Sequence, residues 1–132
     1  MKVMTRKLRG AALDWAVAGL EGEDVWRESR NIYVRDDGDS VSHYSPSTYW
    51  AQGGQIIERE KIILCLKGND WWSGGVKVGQ VPVRIGWWKG AEDRWETEGG
   101  PTPLIAAMRC YVASKLGNEV EVPDELLQGE SK

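Results

Sequence analysis

The sequence contains no phenylalanine, one histidine and two cysteines. Each scarcity closes off a class of chemistry. The single histidine, His43, has no Cys or His partner at metal-ligand spacing, so no zinc site is expected. Any Ser-His-Asp or Cys-His arrangement would depend on His43 alone, and no nucleophile-elbow motif stands ready to pair with it. There is neither a P-loop nor a dinucleotide fingerprint. Asp36-Asp37-Gly38-Asp39 clusters acids before a glycine but lacks the twelve-residue calcium loop with its terminal Glu, and reads as a turn. No catalytic residue, metal or cofactor is therefore expected.

Cys65 and Cys110 both lie in apolar stretches and read as buried hydrophobes in a reducing compartment, not as a disulfide. No apolar run approaches the ~20 residues of a membrane span. The N-terminus lacks the apolar core of a signal peptide, and the expectation is a cytoplasmic protein that does not engage membrane. A strong charge of one sign is also missing. Seventeen basic against twenty acidic residues leave a net charge of −3, which disfavours broad binding to DNA, RNA or anionic lipid. The local exception is Lys2, Arg6, Lys7 and Arg9, a basic start read mainly as solvated chain.

What is present is enough for one domain: 132 residues, 41% hydrophobic, with eight tryptophans in place of the missing phenylalanine. Each Trp is weighed first as core, where it gives large buried area, and second as an exposed recognition group. Residues 5–19 show helical periodicity through Leu8, Ala12, Trp15 and Ala16, with Thr5 as the candidate cap. Residues 21–30 read as a loop and Asn31 to Arg35 as a strand. Lys61 to Leu66 reads as a buried strand, and Val76 to Trp88 as one or two strands with Pro82 near an edge. In that segment Trp87 and Trp88 are expected on opposite faces, one toward the core. Thr102, Pro103 and the stripe Leu104, Ile105, Met108, Tyr111, Val112 and Leu116 specify a helix at about 103–116. Val120 to Val122 reads as extended, and the tail from about 128 as frayed. The expected fold is α+β: one domain spanning 1–132, with a small, mainly antiparallel sheet packed by the N-terminal helix and the 103–116 helix.

One segment stands apart. Tyr44-Ser45-Pro46-Ser47-Thr48-Tyr49-Trp50-Ala51-Gln52-Gly53-Gly54 places hydroxyls, aromatics, an amide and two glycines in one stretch. Ser47 is positioned to cap a helical turn through Trp50 to Gln52, with the glycines stopping it. Backbone N–H groups near Gly53-Gly54 can form an anion-binding nest. The candidate binding residues are Tyr44, Ser45, Ser47, Thr48, Trp50, Gln52, Gly53 and Gly54, with Glu58 and Arg59 following. The structural alternative is a loop capped by its own hydroxyls, with Trp50 in the core. Glu58 and Glu60 can be drawn as a carboxylate pair, but two Glu in a charged helical turn are usually solvated.

Several stretches together resemble the NinX-like phage proteins, a family also found in prophages and classed as a domain of unknown function. They are Ala12 to Ala18 with Glu21-Gly22; Tyr44 to Thr48, Trp50 to Gly54 and Ile56 to Glu60; and Gly100 to Arg109 with Tyr111-Val112. The sequence departs from the family pattern at Gln55, where Pro is common, and in a longer, Trp-rich stretch from Asn69 to Glu98. The resemblance implies a protein of a bacterial host cell, encoded among small phage accessory genes near recombination functions. It supplies no activity, cofactor or catalytic residue. The leading expectation is a non-enzymatic binding module for a host or phage protein, using the Tyr44–Gly54 loop and exposed Trp. The alternatives are single-stranded nucleic-acid binding, with Trp as stacking platforms and the N-terminal cations on phosphates, or a small enzyme acting on a nucleotide or phosphate ligand at the glycine pair.

Overall fold

The closing helix organises the fold. In a computed structural model, which describes residues 1–28, 31–35 and 41–127, α3 (Pro103–Leu116) runs between the bounds expected from its stripe. Thr102 caps it by accepting a hydrogen bond from the Ile105 N–H at 3.1 Å, with Pro103 in the first turn. Leu104, Met108, Cys110, Tyr111 and Val112 are buried. Against α3 lies α1 (Gly10–Glu21), whose Leu13 and Val17 are also buried, together with Leu8, Val122 and Leu126.

The N-terminal helix begins five residues later than expected. Residues Thr5–Lys7 form only a 3-10 turn, and Arg9 is extended. Arg6, Lys7 and Arg9 with no acid in the first turn oppose a helix N-terminus, where the macrodipole favours negative charge. Thr5 is not a cap: its buried hydroxyl donates to the Gly117 carbonyl at 2.7 Å, tying the chain start to the end of α3.

Among the described residues eight strands form three antiparallel sheets, which makes the domain α+β. β1 (Lys2–Met4) pairs β8 (Glu119–Glu121). β2 (Val25–Glu28), β3 (Asn31–Arg35) and β4 (Val41–His43) form a meander, so part of the stretch read as a loop at 21–30 is a strand. The turn at 36–39 and the tail from 128 lie outside the described residues. The third sheet joins β5 (Ile63–Lys67), β6 (Trp71–Ile85) and β7 (Trp88–Gly100) in that order.

α3 lies on one face of this third sheet, where Gly74 and Gly100 let it approach. A Cβ on Gly100 would stand 2.8 Å from the Ala106 nitrogen, and one on Gly74 would stand 3.0 Å from the Ala106 oxygen. The other face, with Ile63, Cys65 and Trp71, is exposed. That corrects the expectation of a buried strand at 61–66 and of two buried cysteines. An edge strand covered on one side alternates, and Cys65 falls on the open side. Cys110 is buried, with its thiol donating to the Glu96 carbonyl at 3.1 Å. Burial, reinforced by Glu96 and Glu98, pushes its pKa up to about 12. A thiol reagent should therefore modify one cysteine quickly in the native protein and the second only on unfolding; equal rates for both would contradict this placement.

β5 accompanies β6 only as far as Gly75. Beyond it β6 and β7 continue as a bare two-stranded ribbon to Ile85 and Trp88, and Pro82 sits where no third strand needs its missing N–H. Most of the tryptophans are not core residues, although Trp15 is partly buried and packs against the core. None of the eight is buried, and Trp50, Trp71, Trp87, Trp88 and Trp95 are exposed. Along β6 and β7 rings lie over glycines: Trp88 covers Gly90 at the ribbon end, and Trp71 covers Gly99 in the three-stranded part. This pairing explains the joint richness in Gly and Trp, since a bare glycine leaves room for a flat ring beside it. Trp87 and Trp88 are both exposed because the ribbon end has no core to face.

Candidate functional site

The segment singled out by composition leads from β4 into α2 (Trp50–Glu60). It divides into an inner and an outer face. On the inner face Asp14 of α1, only 4% exposed, accepts hydrogen bonds from the Ser47 N–H at 2.9 Å and the Ser45 hydroxyl at 3.3 Å. The Thr48 and Tyr49 N–H groups both donate to the Ser45 carbonyl. The Ser45 and Thr48 hydroxyls pair at 2.5 Å. Gln52 closes the turn from α2: its Oε1 accepts from the Ser45 N–H at 2.6 Å, and its Nε2 donates to the His43 carbonyl at 2.9 Å. His43 itself is exposed on β4, with its ring 4.8 Å from that of Tyr33.

Several expected contributions change in this geometry. Ser47 is 1% exposed and its Oγ has no hydrogen-bond partner among the described residues, so it caps none of them. Tyr49, without a side-chain cap, precedes the helix. Gly53 and Gly54 do not stop the helix, which continues to Glu60. The Gly53 N–H is committed to the Tyr49 carbonyl at 2.8 Å, and no anion-binding nest forms there. Gly53 is instead a packing position, pressed against the Pro46 carbonyl and Leu104 of α3. Tertiary packing has overridden the low helix propensity of the glycine pair.

The outer face carries Thr48, Tyr49 and Trp50, with Trp50 56% exposed rather than in the core. Glu58 is exposed further along α2. Arg59 turns away into a network with Glu21 and Tyr111. Its guanidinium makes a two-pronged contact with Glu21 at 2.8 and 2.6 Å, and the Tyr111 hydroxyl donates to the same carboxylate at 2.6 Å. Arg59 holds Glu21 below the usual carboxylate range, with the Tyr111 bond adding to the effect. Burial and this carboxylate push the Tyr111 phenol up. Tyr44 is buried beside the network, and burial raises its pKa, as do Glu21, Glu23 and Asp14. A shallow pocket of about 120 Å³ lies between Tyr44, Gln52, Gln55, Arg59 and Glu21. Arg59 is already neutralised there by Glu21 and Glu60.

Asp14 and Glu21 were not anticipated as partners of this segment. The available signal was Asp14 itself, a lone acid inside the apolar run Ala11 to Ala18. A charge on a buried helix face needs hydrogen-bonding partners from elsewhere in the chain. Among the described residues no group of three or more His, Cys, Asp or Glu could hold a metal ion, and no helix is long and apolar enough to cross a membrane.

The chain is thus a small α+β domain in which a braced turn carries exposed aromatic side chains. Residues 5–115 match the family model described as bacteriophage P22 NinX, and the chain belongs to the NinX family. A search of curated proteins found no match.

Proposed function

We propose that this phage accessory protein is a non-enzymatic binding module that engages a host or phage protein through the outer face of the 44–54 segment. The observation that carries this reading is the exposure of adjacent Tyr49 and Trp50, 61% and 56%, on a turn whose inner face is tied down by Asp14 and Gln52. Rigid aromatic anchors lose little entropy on binding, and Tyr and Trp are enriched among the residues that carry interface energy. Ser45, Ser47, Gln52 and Gly53 act in this reading as the scaffold, while Thr48, Trp50 and Glu58 face the partner. Arg59 holds α2 to α1 through Glu21.

A photo-crosslinking residue at Tyr49, introduced during phage growth, should capture one discrete protein. Adding Trp50→Ser should abolish the crosslink and leave the circular dichroism unchanged. The same crosslinking pattern from a control position at Asp70, or persistence of the crosslink in the Trp50→Ser protein, would reject the reading.

A further inference from the structure

The end of the β6–β7 ribbon exposes more apolar surface than a free hairpin has reason to. Residues opposed across a ladder share a face. One face of the distal ribbon therefore carries Val83, Gly90, Ile85 and Trp88 at its end, with Val81 and Glu92 opposed further back, and Ile85 is 70% exposed. Trp87, at the turn, is 92% exposed. The reverse face opposes Arg84 directly to Lys89. Like charges directly opposed destabilise a strand pair. From Gly79 to Ala91 there is no acid, and neither cation makes an ion pair among the described residues.

A complementary surface lies elsewhere on the molecule. Trp15, Ala16, Gly19 and Leu20 of α1, Leu116 at the end of α3, and Glu119, Val120 and Glu121 of β8 line a groove of about 420 Å³. Its floor is apolar, and Leu116 is exposed in it. Its two charged lining residues are both acidic. Glu121 also holds the Met1 amino group, so Glu119 is the carboxylate left without an ion pair among the described residues.

No residue of the ribbon lines the groove of its own chain. α3 runs back along the hairpin, and Cys110 meets Glu96. Six residues of helix carry the chain about 9 Å further, to Leu116. Eight residues of strand carry the ribbon about 26 Å from Glu96 to Trp88. The tip thus overshoots the helix end by roughly 17 Å.

We propose that the occupant of the groove is the ribbon tip of a second copy of this chain, exchanged reciprocally in a two-fold dimer. Ile85, Trp87 and Trp88 face the apolar floor, and the long side chains of Arg84 and Lys89 reach round the ribbon from its reverse face to Glu119. Reciprocity closes the assembly, whereas one-way docking of tip into groove would propagate into a chain of molecules. Aromatic side chains bury about 150–250 Å² each. A reciprocal exchange brings four Trp rings, Trp87 and Trp88 of each copy, into one interface. This contact is separate from the Tyr49–Trp50 surface, so its failure leaves that reading standing.

The test is the mass of the purified full chain by light scattering and sedimentation equilibrium. The wild type should be a dimer at concentrations well above micromolar. Trp87→Ser, at a position that packs on nothing, should weaken association by about thirtyfold or more, the loss expected for a central Trp anchor. Arg84→Glu with Lys89→Glu should be monomeric, and so should Glu119→Lys. Mixing these two variants should restore a heterodimer, because each tip then meets a groove of opposite charge. A monomeric wild type, a dimer indifferent to Trp87→Ser, or a mixture that stays monomeric would overturn the proposal. Tip-dependent binding of a labelled oligonucleotide or an anionic vesicle by a monomeric wild type would likewise overturn it and reassign the tip.

Discussion

Gly53→Ala should destabilise the protein by about 2–3 kcal/mol, while Gly54→Ala, one residue along the same helix, should stabilise it by about 0.5–1 kcal/mol. Both glycines lie inside α2, where replacing Gly by Ala ordinarily gains helix propensity. The difference is in what a Cβ meets. At Gly54 it would make only an ordinary contact, 3.6 Å from the Trp50 ring. At Gly53 it would collide with the Pro46 carbonyl and stand 2.7 Å from Leu104 Cδ2. A backbone carbonyl cannot rotate aside as a side chain can, so α2 must shift relative to α3 or to the turn. Urea unfolding of the two variants reads this directly. Equal gains at both positions would show that α2 does not press on Pro46 and Leu104.

The same pair shows how far the residues alone could be read. As local signals, adjacent glycines stop helices, and the expected turn ended at Gly53-Gly54. The helix continues because a small residue is what the contact with Pro46 requires, and that contact spans segments no local pattern connects. Where the determinants are local, sequence and structure agree. Thr102, Pro103 and the apolar stripe set α3 to the residue. Alternation identified β3. Where they are not local, the two part in consistent ways. A large apolar ring reads first as core, yet Trp71 lies over Gly99, a glycine that neighbours it only through the pairing of β6 with β7. Cys65 read as buried from its apolar neighbours, but its exposure follows from which face of the sheet α3 covers.

The candidate segment stands out by composition, but composition does not tell which way its side chains turn. Its composition separated it from an ordinary turn, and the aromatic pair Tyr49 and Trp50 stands in solvent. Its two serines and Gln52 turn the other way. Ser45, Ser47 and Gln52 look from composition like adaptable recognition groups, but they spend their polar capacity or their volume inside the molecule. What decides this is Asp14, 33 residues upstream of Ser47. A buried carboxylate draws donors toward itself, and the Ser-Pro-Ser-Thr turn supplies them.

Asp14→Ala should therefore be among the most damaging polar substitutions in the chain, costing about 2–4 kcal/mol. It removes the acceptor of the buried Ser47 N–H and of the Ser45 hydroxyl together. A backbone donor left unpaired away from water costs its full desolvation. Asp14→Asn should recover much of the loss, because its amide oxygen can still accept from Ser47 and its amide nitrogen can donate to the Ser45 hydroxyl. Ser47→Ala should behave in the opposite sense to a lost cap. The Ser47 N–H bond to Asp14 survives, and the only group removed is a buried hydroxyl without a partner, so stability should change by less than about 1 kcal/mol and can rise. Chemical denaturation of Asp14→Ala, Asp14→Asn and Ser47→Ala tests the set. A destabilising Ser47→Ala with a harmless Asp14→Ala would mean that the serine hydroxyl, and not the carboxylate, holds the turn. The braced platform beneath Tyr49 and Trp50 would then need a different origin.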